Sequence, residues 1–267
     1  MSKHLNEAAP GARNLAFFDL DFTLIPHDTL LLFCNYVIKR SPSRILYLCL
    51  AAPLLPLALI KLLHSREIKR VFLCFLWRLR RERLEELAEG FVRDVVKPAF
   101  YPEIRAILDE HRARGDFVIL NTASPEFYVR FIATELKCDA FCATKALVED
   151  VMPLIPEIEG PNNKRFAKLV AMRHLLPAEQ RALIPERLPA PAPVHLTPVK
   201  NSIAYSDSPA DLPMLRLAEH VKLVNPISSR LKSEAKEKGW EILRPKTPYA
   251  GTPGRLFNMA LQAMGLY

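Results

Sequence analysis

The sequence predicts an α/β fold: a parallel sheet with helices on both faces, interrupted after its first strand by an all-helical insertion. From residue 98 onward, short apolar runs typical of strands alternate with segments whose apolar residues recur at helical spacing. Between residues 25 and 97 only the helical spacing occurs. We therefore expect a core formed by residues 1–24 and 98–267 and a helical cap formed by residues 25–97.

The predicted elements alternate along the chain. The first strand begins at Leu15, and later strands are expected at 116–121, 202–206, 221–225 and 240–243, with one or two short ones within 138–160. The predicted helices cover Leu30–Lys39, Phe100–Arg114, Pro125–Lys137 and Asn163–Leu176. Residues 177–198 contain six prolines and are expected to form a long loop. The tail from Pro245 is expected to pack loosely, with a short helix near Arg255–Met264.

The composition indicates a globular chain whose positive charge is unevenly placed. Half of the 267 residues are apolar, which is enough for a sizeable core, and the formal net charge is +8. Residues 39–83 contain eleven Lys and Arg against two Glu, so this region accounts for the excess. The five cysteines lack a paired metal-site spacing, which favours packing roles in a reducing compartment. No signal peptide is visible at the start of the sequence.

Residues 45–63, ILYLCLAAPLLPLALIKLL, form the most apolar run of the chain. A continuous helix of this length would measure about 28 Å, close to the apolar core of a bilayer. A single crossing would separate the two halves of the predicted core, and Pro53 and Pro56 would disrupt the helix. We therefore expect either a buried cap helix or a kinked hairpin that dips into one leaflet. The basic flanks favour contact with an anionic membrane surface through residues 44–83.

Two aspartates, Asp19 and Asp21, end the first predicted strand, with Thr23 directly after them. Because the strand is apolar and therefore buried, both carboxylates should face the crevice at the carboxyl edge of the sheet, where α/β proteins bind ligands. Two carboxylates this close repel each other unless a cation lies between them or one keeps its proton. An exposed Asx turn is the alternative for an isolated pair of this kind.

Polar residues also follow the later predicted strands, namely Thr122, Ala123, Ser124, Lys164, Asp207 and Asp211. The turn that begins at Thr122 opens a helix, and free backbone N–H groups at such a position favour an anion. Each residue alone has a structural interpretation, Thr122 as a helix cap, Lys164 as a solvated lysine, and the two aspartates as a turn and a surface helix. Together they form one pattern.

The order DxDxT, then Thr after a strand, then Lys, then DxxxD after another strand resembles the haloacid dehalogenase superfamily of phosphohydrolases over residues 14–245. This resemblance implies a Rossmann-like core and hydrolysis of a phosphomonoester through an aspartyl phosphate, with Mg²⁺ as cofactor. The oxygen-only ligand set, which contains no histidine, favours Mg²⁺ over zinc. Because a phosphate monoester is itself anionic, a pocket of carboxylates can bind it only with a cation and a lysine.

The resemblance implies catalytic roles for the first motif and the threonine turn. Asp19 would be the nucleophile that attacks phosphorus. Asp21 would be the general acid that protonates the leaving alcohol and then the base that activates water. Thr122 would hydrogen-bond a phosphoryl oxygen, with Ala123 and Ser124 beside it in the substrate-binding turn. Asp21 also indicates phosphatase chemistry, because the superfamily's transport ATPases carry Thr there and its dehalogenases lack this acid.

The same resemblance implies roles for the charged groups around the phosphate. Lys164 would bind the substrate and offset negative charge on the nucleophile and the phosphate. Asp207 would bind Mg²⁺ together with Asp19 and the backbone carbonyl of Asp21. Asp211 would hold a metal-bound water or orient Lys164.

Three residues near these positions affect the resemblance. Phe22 replaces the glycine common after the second aspartate, and Ser206 precedes Asp207 where glycine is usual, but neither change removes a reactive group. Asp28 falls where phosphoserine phosphatases carry an acid that recognises the substrate amine. Asp is also a preferred N-cap residue, so a helix cap is the simpler interpretation of Asp28.

The helical insertion resembles the phosphoserine-phosphatase-like branch, subfamily IB of the superfamily. The apolar run, its basic flanks and the sequences TASP and YSDSPADLPML resemble the phosphatidylglycerophosphatase C enzymes of bacteria. We therefore predict a membrane lipid phosphate as substrate and the cytoplasmic face of a bacterial inner membrane as location. A small-metabolite phosphatase without membrane contact is the first alternative. A non-enzymatic membrane or RNA-binding module is the second, and since no RNA-binding motif is present we expect no nucleic acid partner.

Overall fold

The computed structural model describes residues 13–49, 64–188 and 196–267. Its centre is a sheet of seven strands in the order β4-β3-β2-β1-β5-β6-β7. The strands are β1 Leu15–Phe18, β2 Phe117–Pro125, β3 Ala140–Ala146, β4 Ile158–Glu159, β5 Val199–Ser206, β6 Ala218–Val224 and β7 Glu241–Leu243. Neighbouring strands are parallel except β3 and β4, which are antiparallel. The predicted α/β fold with a parallel sheet is confirmed.

Strand β1 occupies the middle of the sheet. Leu15 lies opposite Phe117 of β2 on one side and opposite Ser202 of β5 on the other. Successive side chains of a strand face opposite sides of the sheet, and both Phe17 and Phe18 are fully buried because helices cover both faces. Burying a phenylalanine side chain contributes about 1.5–3 kcal/mol. The short strand is therefore apolar at every position until it reaches Asp19.

Helices connect the strands and cover the sheet. The described α-helices are α1 Thr29–Arg40, α2 Ile45–Leu48, α3 Ser65–Phe72, α4 Arg81–Phe91, α5 Lys97–Ala99, α6 Pro102–Ala113, α7 Glu126–Leu136, α8 Ala167–Met172, α9 Ala178–Leu183, α10 Leu212–Leu217, α11 Ser229–Lys238 and α12 Gly251–Ala263. A π-helical turn, Val92–Val96, joins α4 to α5.

The predicted insertion is helical wherever the structure describes it. Between α1 and α6, the described residues 41–49 and 64–101 add no strand to the sheet. An aromatic cluster packs this region on the core: the ring of Phe33 lies 5.1 Å from that of Phe91, 5.5 Å from Phe127 and 5.3 Å from Tyr128, measured between centroids. Because α1 and α4 supply two of these rings and α7 the other two, this cluster joins the insertion to the helix that follows β2.

Residues 45–63, the apolar run, are described only in part. Ile45–Leu48 forms a short helix, and residues 50–63 lie outside the described residues. Among the residues that are described, no helix combines the length and the apolar character needed to cross a bilayer. The choice between a buried cap helix and a hairpin in one leaflet therefore stays a prediction.

Two sequence expectations about loops were wrong. The proline-rich stretch 177–198 contains a helix, Ala178–Leu183, in its longest proline-free segment, while residues 189–195 lie outside the described residues. The tail after Pro245 is bound to the insertion rather than loosely packed. Asn35 in α1 exchanges two hydrogen bonds of 3.1 Å with the main chain of Tyr267, and Gln262 donates to His27 over 3.1 Å.

Candidate active site

Asp19 lies directly after the central strand, and its carboxylate is held by two other side chains. The backbone N–H of Asp19 donates to the carbonyl of Tyr205 in β5 over 3.0 Å, which continues the sheet by one residue. Lys168 Nζ lies 2.7 Å from Asp19 Oδ1, and Thr23 Oγ1 donates to Asp19 Oδ2 over 3.2 Å. The side chain is buried. The prediction that this acid ends a buried strand is confirmed.

The lysine that pairs with Asp19 is Lys168, not the predicted Lys164. Lys168 Nζ also lies 2.7 Å from Asp211 Oδ2, so one ammonium bridges both acids. Asn121, in β2, fixes the backbone of α8, the helix that carries Lys168, by donating to the carbonyl of Lys168 over 3.0 Å. Lys164 is four residues earlier, in the loop before α8, and lines the same cavity. The signal that was overlooked is that Lys168 lies within the apolar sequence FAKLVAM, where a lysine is buried and needs an acidic partner.

Thr23 connects the two loops that carry the acids. Its hydroxyl donates to Asp19 and accepts the backbone N–H of Asp207 over 3.1 Å. Ser206 donates to Asp211 over 2.8 Å, so this serine, which replaces a common glycine, also orients an acid. The ends of β1 and β5 are therefore joined by hydroxyl groups as well as by the sheet.

Asp21 accepts three hydrogen bonds from two neighbouring elements. Thr29, the first residue of α1, donates its backbone N–H over 2.8 Å and its hydroxyl over 2.6 Å to Oδ1. Ser124 at the end of β2 donates its hydroxyl to Oδ2 over 2.7 Å. These contacts place Asp21 between the first strand, the insertion and the turn after β2.

The predicted substrate-binding turn is partly at the site. Ala123 and Ser124 line the cavity that also contains Asp19 and Asp21. Thr122 is fully buried, its hydroxyl accepts the backbone N–H of Ser124 over 3.1 Å, and it is not among the residues that line this cavity. Within the structure, Thr122 therefore shapes the turn.

One cavity of about 450 Å³ brings most of the predicted residues together. We call it the catalytic cavity. The predicted members that line it are Asp19, Asp21, Asp28, Ala123, Ser124, Lys164, Asp207 and Asp211. A larger groove of about 1360 Å³ lies beside it and shares Lys164, Ser208 and Ala210, but none of the predicted acids lines that groove. The chemistry is therefore assigned to the smaller space.

Comparison with known proteins decides which family this arrangement belongs to. The family model of haloacid dehalogenase-like hydrolases matches residues 16–216, more than half of the chain. The chain belongs to this family. The match includes both acid-bearing strand ends and Lys168, and it stops before the C-terminal helix α12.

The relatives of this haloacid dehalogenase-like hydrolase include phosphatases. A probable phosphatase of Mycobacterium tuberculosis strain H37Rv is 28% identical over 262 residues, which are 90% of this chain and 78% of the relative. The histidinol-phosphatase of Neisseria meningitidis serogroup C is 26% identical over 243 residues, 88% of this chain and 100% of the relative. A solved structure of a protein of unknown function from Bordetella pertussis Tohama I is 25% identical, has a TM-score of 0.69, and covers 87% of this chain and 99% of its own. The chain is a phosphatase, and its family supports phosphomonoester hydrolysis.

Burial raises the proton affinity of the acids in this hydrolase. The pKa of Asp19 is raised well above its ordinary value by burial, opposed by Lys168 and further raised by Asp211 and Asp207. Burial also raises the pKa of Asp207 to about 7, against the lowering effect of Arg255. Both carboxyl groups therefore hold a proton more tightly than an exposed aspartate does, and positive charge nearby stabilises their ionised form.

The donor chemistry of the catalytic cavity suits Mg²⁺, although its acids are paired with basic side chains. All four predicted ligands, Asp19, Asp21, Asp207 and Asp211, offer oxygen donors to the same cavity, as hard cations prefer. In residues 13–49, 64–188 and 196–267, no three His, Cys, Asp or Glu side chains are grouped around one metal position. Lys168 bridges two of the acids, and Arg255 lies 3.2 Å from Asp207 Oδ2.

Asp28 is both a helix cap and a wall of the catalytic cavity. Its Oδ1 accepts the backbone N–H groups of Leu30 and Leu31 over 3.0 and 3.1 Å, so the predicted N-cap of α1 is confirmed. The carboxyl group also lines the cavity. Burial, assisted by the charge of Asp21, raises its pKa to about 6.

Besides Lys168, sequence reasoning missed two cationic residues that line the cavity, Lys69 and Arg255. Lys69 in α3 donates to the carbonyl of Ala123 and, over 2.7 Å, to Asn162 Oδ1. Burial lowers the pKa of Lys69 to about 8, while Asp28 and Asp21 oppose this shift. Lys69 was counted only as part of a basic flank. No local signal identifies Arg255, which reaches Asp207 across 48 residues of sequence.

Proposed function

We propose that this phosphatase transfers the phosphoryl group of a phosphate monoester to Asp19 and then to water. A carboxylate oxygen of Asp19 forms a bond to phosphorus while the bond between phosphorus and the leaving oxygen breaks, and the leaving oxygen takes a proton from Asp21. Water then attacks phosphorus, its proton goes to Asp21, and the bond to Asp19 breaks to release inorganic phosphate. The observation that supports this most directly is the buried ammonium of Lys168, 2.7 Å from both Asp19 and Asp211.

The hydrogen bonds around Asp21 suit a group that must give and take a proton in a fixed orientation. Thr29 and Ser124 donate to both of its oxygens and limit rotation of the carboxyl group. The Thr29 hydroxyl also lies 2.8 Å from that of Ser124 and 3.1 Å from that of Tyr128. A fixed orientation toward the leaving oxygen shortens the search for a productive geometry, which contributes to rate.

We propose Mg²⁺ as the cofactor, held by the carboxylates of Asp19 and Asp207 and the backbone carbonyl of Asp21, with Asp211 as a further acid near it. When bound, the ion would neutralise charge and polarise the phosphoryl oxygens. Lys168 supplies a second positive charge to the nucleophile. We also propose that Ser124, Ala123 and Lys164 contact the substrate, since all three line the catalytic cavity.

Release of inorganic phosphate from p-nitrophenyl phosphate tests this function. The wild-type chain should require Mg²⁺ and lose activity with EDTA. Asp19→Asn should remove the nucleophile and abolish turnover, whereas Asp109→Asn, an acid paired with Arg105 and Arg112 on α6, should leave the rate unchanged. Activity that survives Asp19→Asn at a comparable rate would contradict the aspartyl phosphate.

The first substrate class that we propose is a membrane lipid phosphate such as phosphatidylglycerophosphate, at the cytoplasmic face of a bacterial inner membrane. It depends on the apolar run 45–63 and on its basic flanks, which also carry the resemblance to phosphatidylglycerophosphatase C. The division into a core and a helical cap, and assignment to the phosphoserine-phosphatase-like branch, belong to the same proposal. Hydrolysis of vesicle-borne phosphatidylglycerophosphate, with phosphatidic acid and phosphoserine for comparison, tests it.

The basic flanks give less support to a membrane surface than their sequence indicated, because several of them bind the protein itself. Arg44 donates to the carbonyls of Phe75 and Trp77 over 2.8 and 3.0 Å. Arg66 donates to the carbonyl of Ile158 over 2.9 Å, and Arg70 to that of Pro156 over 3.0 Å. These guanidinium groups join α2 and α3 to the rest of the structure.

A second candidate substrate is a small phosphate monoester that carries an amine. The carboxyl group of Asp28, which lines the catalytic cavity, is the observation that favours it. The relative from Neisseria is named for histidinol phosphate, and the corresponding ligand here would place its amine against Asp28. Rapid hydrolysis of such substrates, lost in Asp28→Ala and with no activity on lipid vesicles, would select this candidate.

A further inference from the structure

A second cavity of about 380 Å³ adjoins the catalytic cavity and is separated from it by two stacked side chains. Phe22 and Arg255 line both spaces. The guanidinium carbon of Arg255 lies 3.2 Å from the centroid of the Phe22 ring. We call the second space the side cavity. Its remaining polar or charged lining residues include Lys232, Arg244 and Tyr249.

The side cavity is positively charged. Lys232, Arg244 and Arg255 line it, and none of the described residues that line it is acidic. The catalytic cavity differs, because five aspartates line it. Of the three cations around this space, only Arg255 has a carboxylate partner among the described residues, so together they favour an anionic ligand. A carboxylate or phosphate group also matches the forked donors of the two arginines.

Arg255 is held in place before any ligand binds. Its side chain is only 15% exposed, it stacks on Phe22, and its Nη1 lies 3.2 Å from Asp207 Oδ2. A guanidinium group has five N–H donors, and among the described residues its only hydrogen bond is the one to Asp207. Donors therefore remain for a ligand in the two cavities that it lines.

The contact between Phe22 and Arg255 explains why Phe22 stands where the family commonly has glycine. The φ of 60° at Phe22 lies in the left-handed region, which is unfavourable for a residue other than glycine. The ring is the surface on which Arg255 stacks, and a buried cation over an aromatic face is stabilised by that contact. Glycine would relieve the backbone but remove the platform. Phe22 also directly follows Asp21, the proposed acid for the leaving group, and lines the cavity that contains it.

We propose that the side cavity binds a second anionic group of the substrate, a carboxylate or a phosphodiester carried by the leaving alcohol, while the phosphoryl group lies at Asp19. This inference rests on the proposed function and narrows its substrate class. Arg255 contacts the anion from the wall between the cavities, and Arg244 and Lys232 contact it from the exposed side. Alcohol phosphates whose leaving group carries no negative charge are then poor substrates.

Matched pairs of substrates test the side cavity. 3-Phosphoglycerate differs from glycerol 3-phosphate, and phosphoserine from phosphoethanolamine, chiefly by a carboxylate. We expect the wild type to prefer the carboxylate member by at least tenfold in kcat/KM. A charge-assisted hydrogen bond is worth about one to two powers of ten, so Arg255→Met, and separately Lys232→Met with Arg244→Met, should reduce that ratio about tenfold or more. Arg230→Met, an exposed arginine on α11 outside both cavities, should leave the ratio unchanged.

The ratio separates recognition of the anion from general damage. Because Arg255 also contacts Asp207, its loss can slow every substrate, whereas the Lys232 and Arg244 pair touches no proposed catalytic group. Equal rates for both members in the wild type would overturn the proposal. The proposal would also be overturned if the side-cavity variants slowed hydrolysis of both substrates of a pair equally. Hydrolysis of glycerophosphoglycerol phosphate in preference to 3-phosphoglycerate would identify the anion as a phosphodiester, and the reverse order as a carboxylate.

A binding measurement keeps this test independent of turnover. In the Asp19→Asn protein, calorimetry should show tighter binding of 3-phosphoglycerate than of glycerol 3-phosphate, and the added Lys232→Met and Arg244→Met changes should remove the difference. Equal affinities for the two compounds would overturn the proposal that the side cavity binds the anion, even if the enzyme is active. Absence of all phosphatase activity, with the difference in affinity intact, would instead overturn the proposed function.

Discussion

Lys168 and Asp19 form an ion pair of 2.7 Å in which the lysine side chain is 2% exposed and the aspartate side chain 9% exposed. Their surroundings contain further acids, so the lysine compensates more negative charge than one partner supplies. Breaking a buried pair by removing one member typically costs about 3–5 kcal/mol, because the other charge is left uncompensated. Stability and activity should therefore depend on the same side chain.

We expect Lys168→Met to abolish measurable turnover and to lower the free energy of unfolding by about 3–5 kcal/mol in the absence of Mg²⁺. Lys164→Met, at the other predicted lysine, should change the rate far less, because Lys164 makes no ion pair with Asp19. Chemical denaturation and phosphate release measure the two effects. A larger loss in Lys164→Met than in Lys168→Met would restore the original assignment.

Replacement of Thr23 by valine should weaken both acid-bearing loops. The change keeps the shape but leaves the backbone N–H of Asp207 without its acceptor, which costs about 1–3 kcal/mol. We expect lower kcat with little change in KM, and recovery in Thr23→Ser, which keeps the hydroxyl. Thr134→Val, at an exposed helical hydroxyl that bonds the carbonyl of Arg130, is the matched control. Unchanged stability in Thr23→Val would show that the bridge between the loops is unimportant.

Asp28 should make the metal-free protein less stable as the pH rises from about 4 to 6. Its pKa is about 6 in the folded state against an ordinary 3.8, so the folded protein binds this proton more tightly than the unfolded chain. The stabilisation is complete below the ordinary pKa and is lost as the pH passes the folded value. Asp28→Asn keeps the helix cap and should flatten this part of the stability profile. Parallel profiles for both proteins would contradict the assignment.

His27, unlike Asp28, should make the protein less stable as the pH falls. Burial lowers its pKa to about 4 from an ordinary 6.5, and Gln262 and the Tyr267 hydroxyl bond its ring nitrogens over 3.1 and 3.2 Å. The unfolded chain therefore binds a proton first, and the contribution of His27 to stability is lost as the pH falls from 6.5 to about 4. His27→Gln should retain more of its own neutral-pH stability at pH 5 than the wild type does. An equal loss of stability in both proteins as the pH falls would be evidence against this role of His27.

Contact with anionic vesicles, if it depends on residues 45–63, should be only weakly sensitive to salt. Arg44, Arg66 and Arg70 already have partners within the protein, so few of the flanking charges are free for headgroups. Co-sedimentation with vesicles at about 0.1 M and about 0.5 M salt measures this, since screening is much stronger at the higher value. A steep loss with salt would show that the arginines do bind headgroups, and absence from the vesicle pellet in both would remove the membrane proposal.

The parts of the fold that depend on local pattern were predictable from the sequence. Alternating strands and helices indicated the parallel sheet, and the ends of β1, β2 and β5 supplied polar residues that line the catalytic cavity, among them Asp19, Ser124 and Asp207. Asp28 was correctly expected to cap α1 because that role depends on neighbours in sequence.

Contacts between distant segments could not be predicted in this way. Lys164 lies just before α8 and Lys168 within it, and the packing against Asn121 favours Lys168 as the ammonium that reaches Asp19. The arginines before and after the apolar run looked like free surface charge, yet Arg44 bonds carbonyls about 30 residues away. Arg255 comes from a helix that the family match does not include, and no pattern around it indicates Asp207.

Because β1 is central in the sheet, the loop that carries Asp19 should resist local unfolding more strongly than the helices that carry Lys69 and Arg255. Three strands lie on each side of β1, so the loop that carries Asp19 opens only when the sheet itself comes apart. Lys69 and Arg255 belong to helices outside the sheet, which can separate at a lower free energy. A partly opened molecule would therefore keep Asp19 while it loses Arg255, the residue proposed to select the substrate, and warming or mild denaturant would make the enzyme less selective before making it inactive.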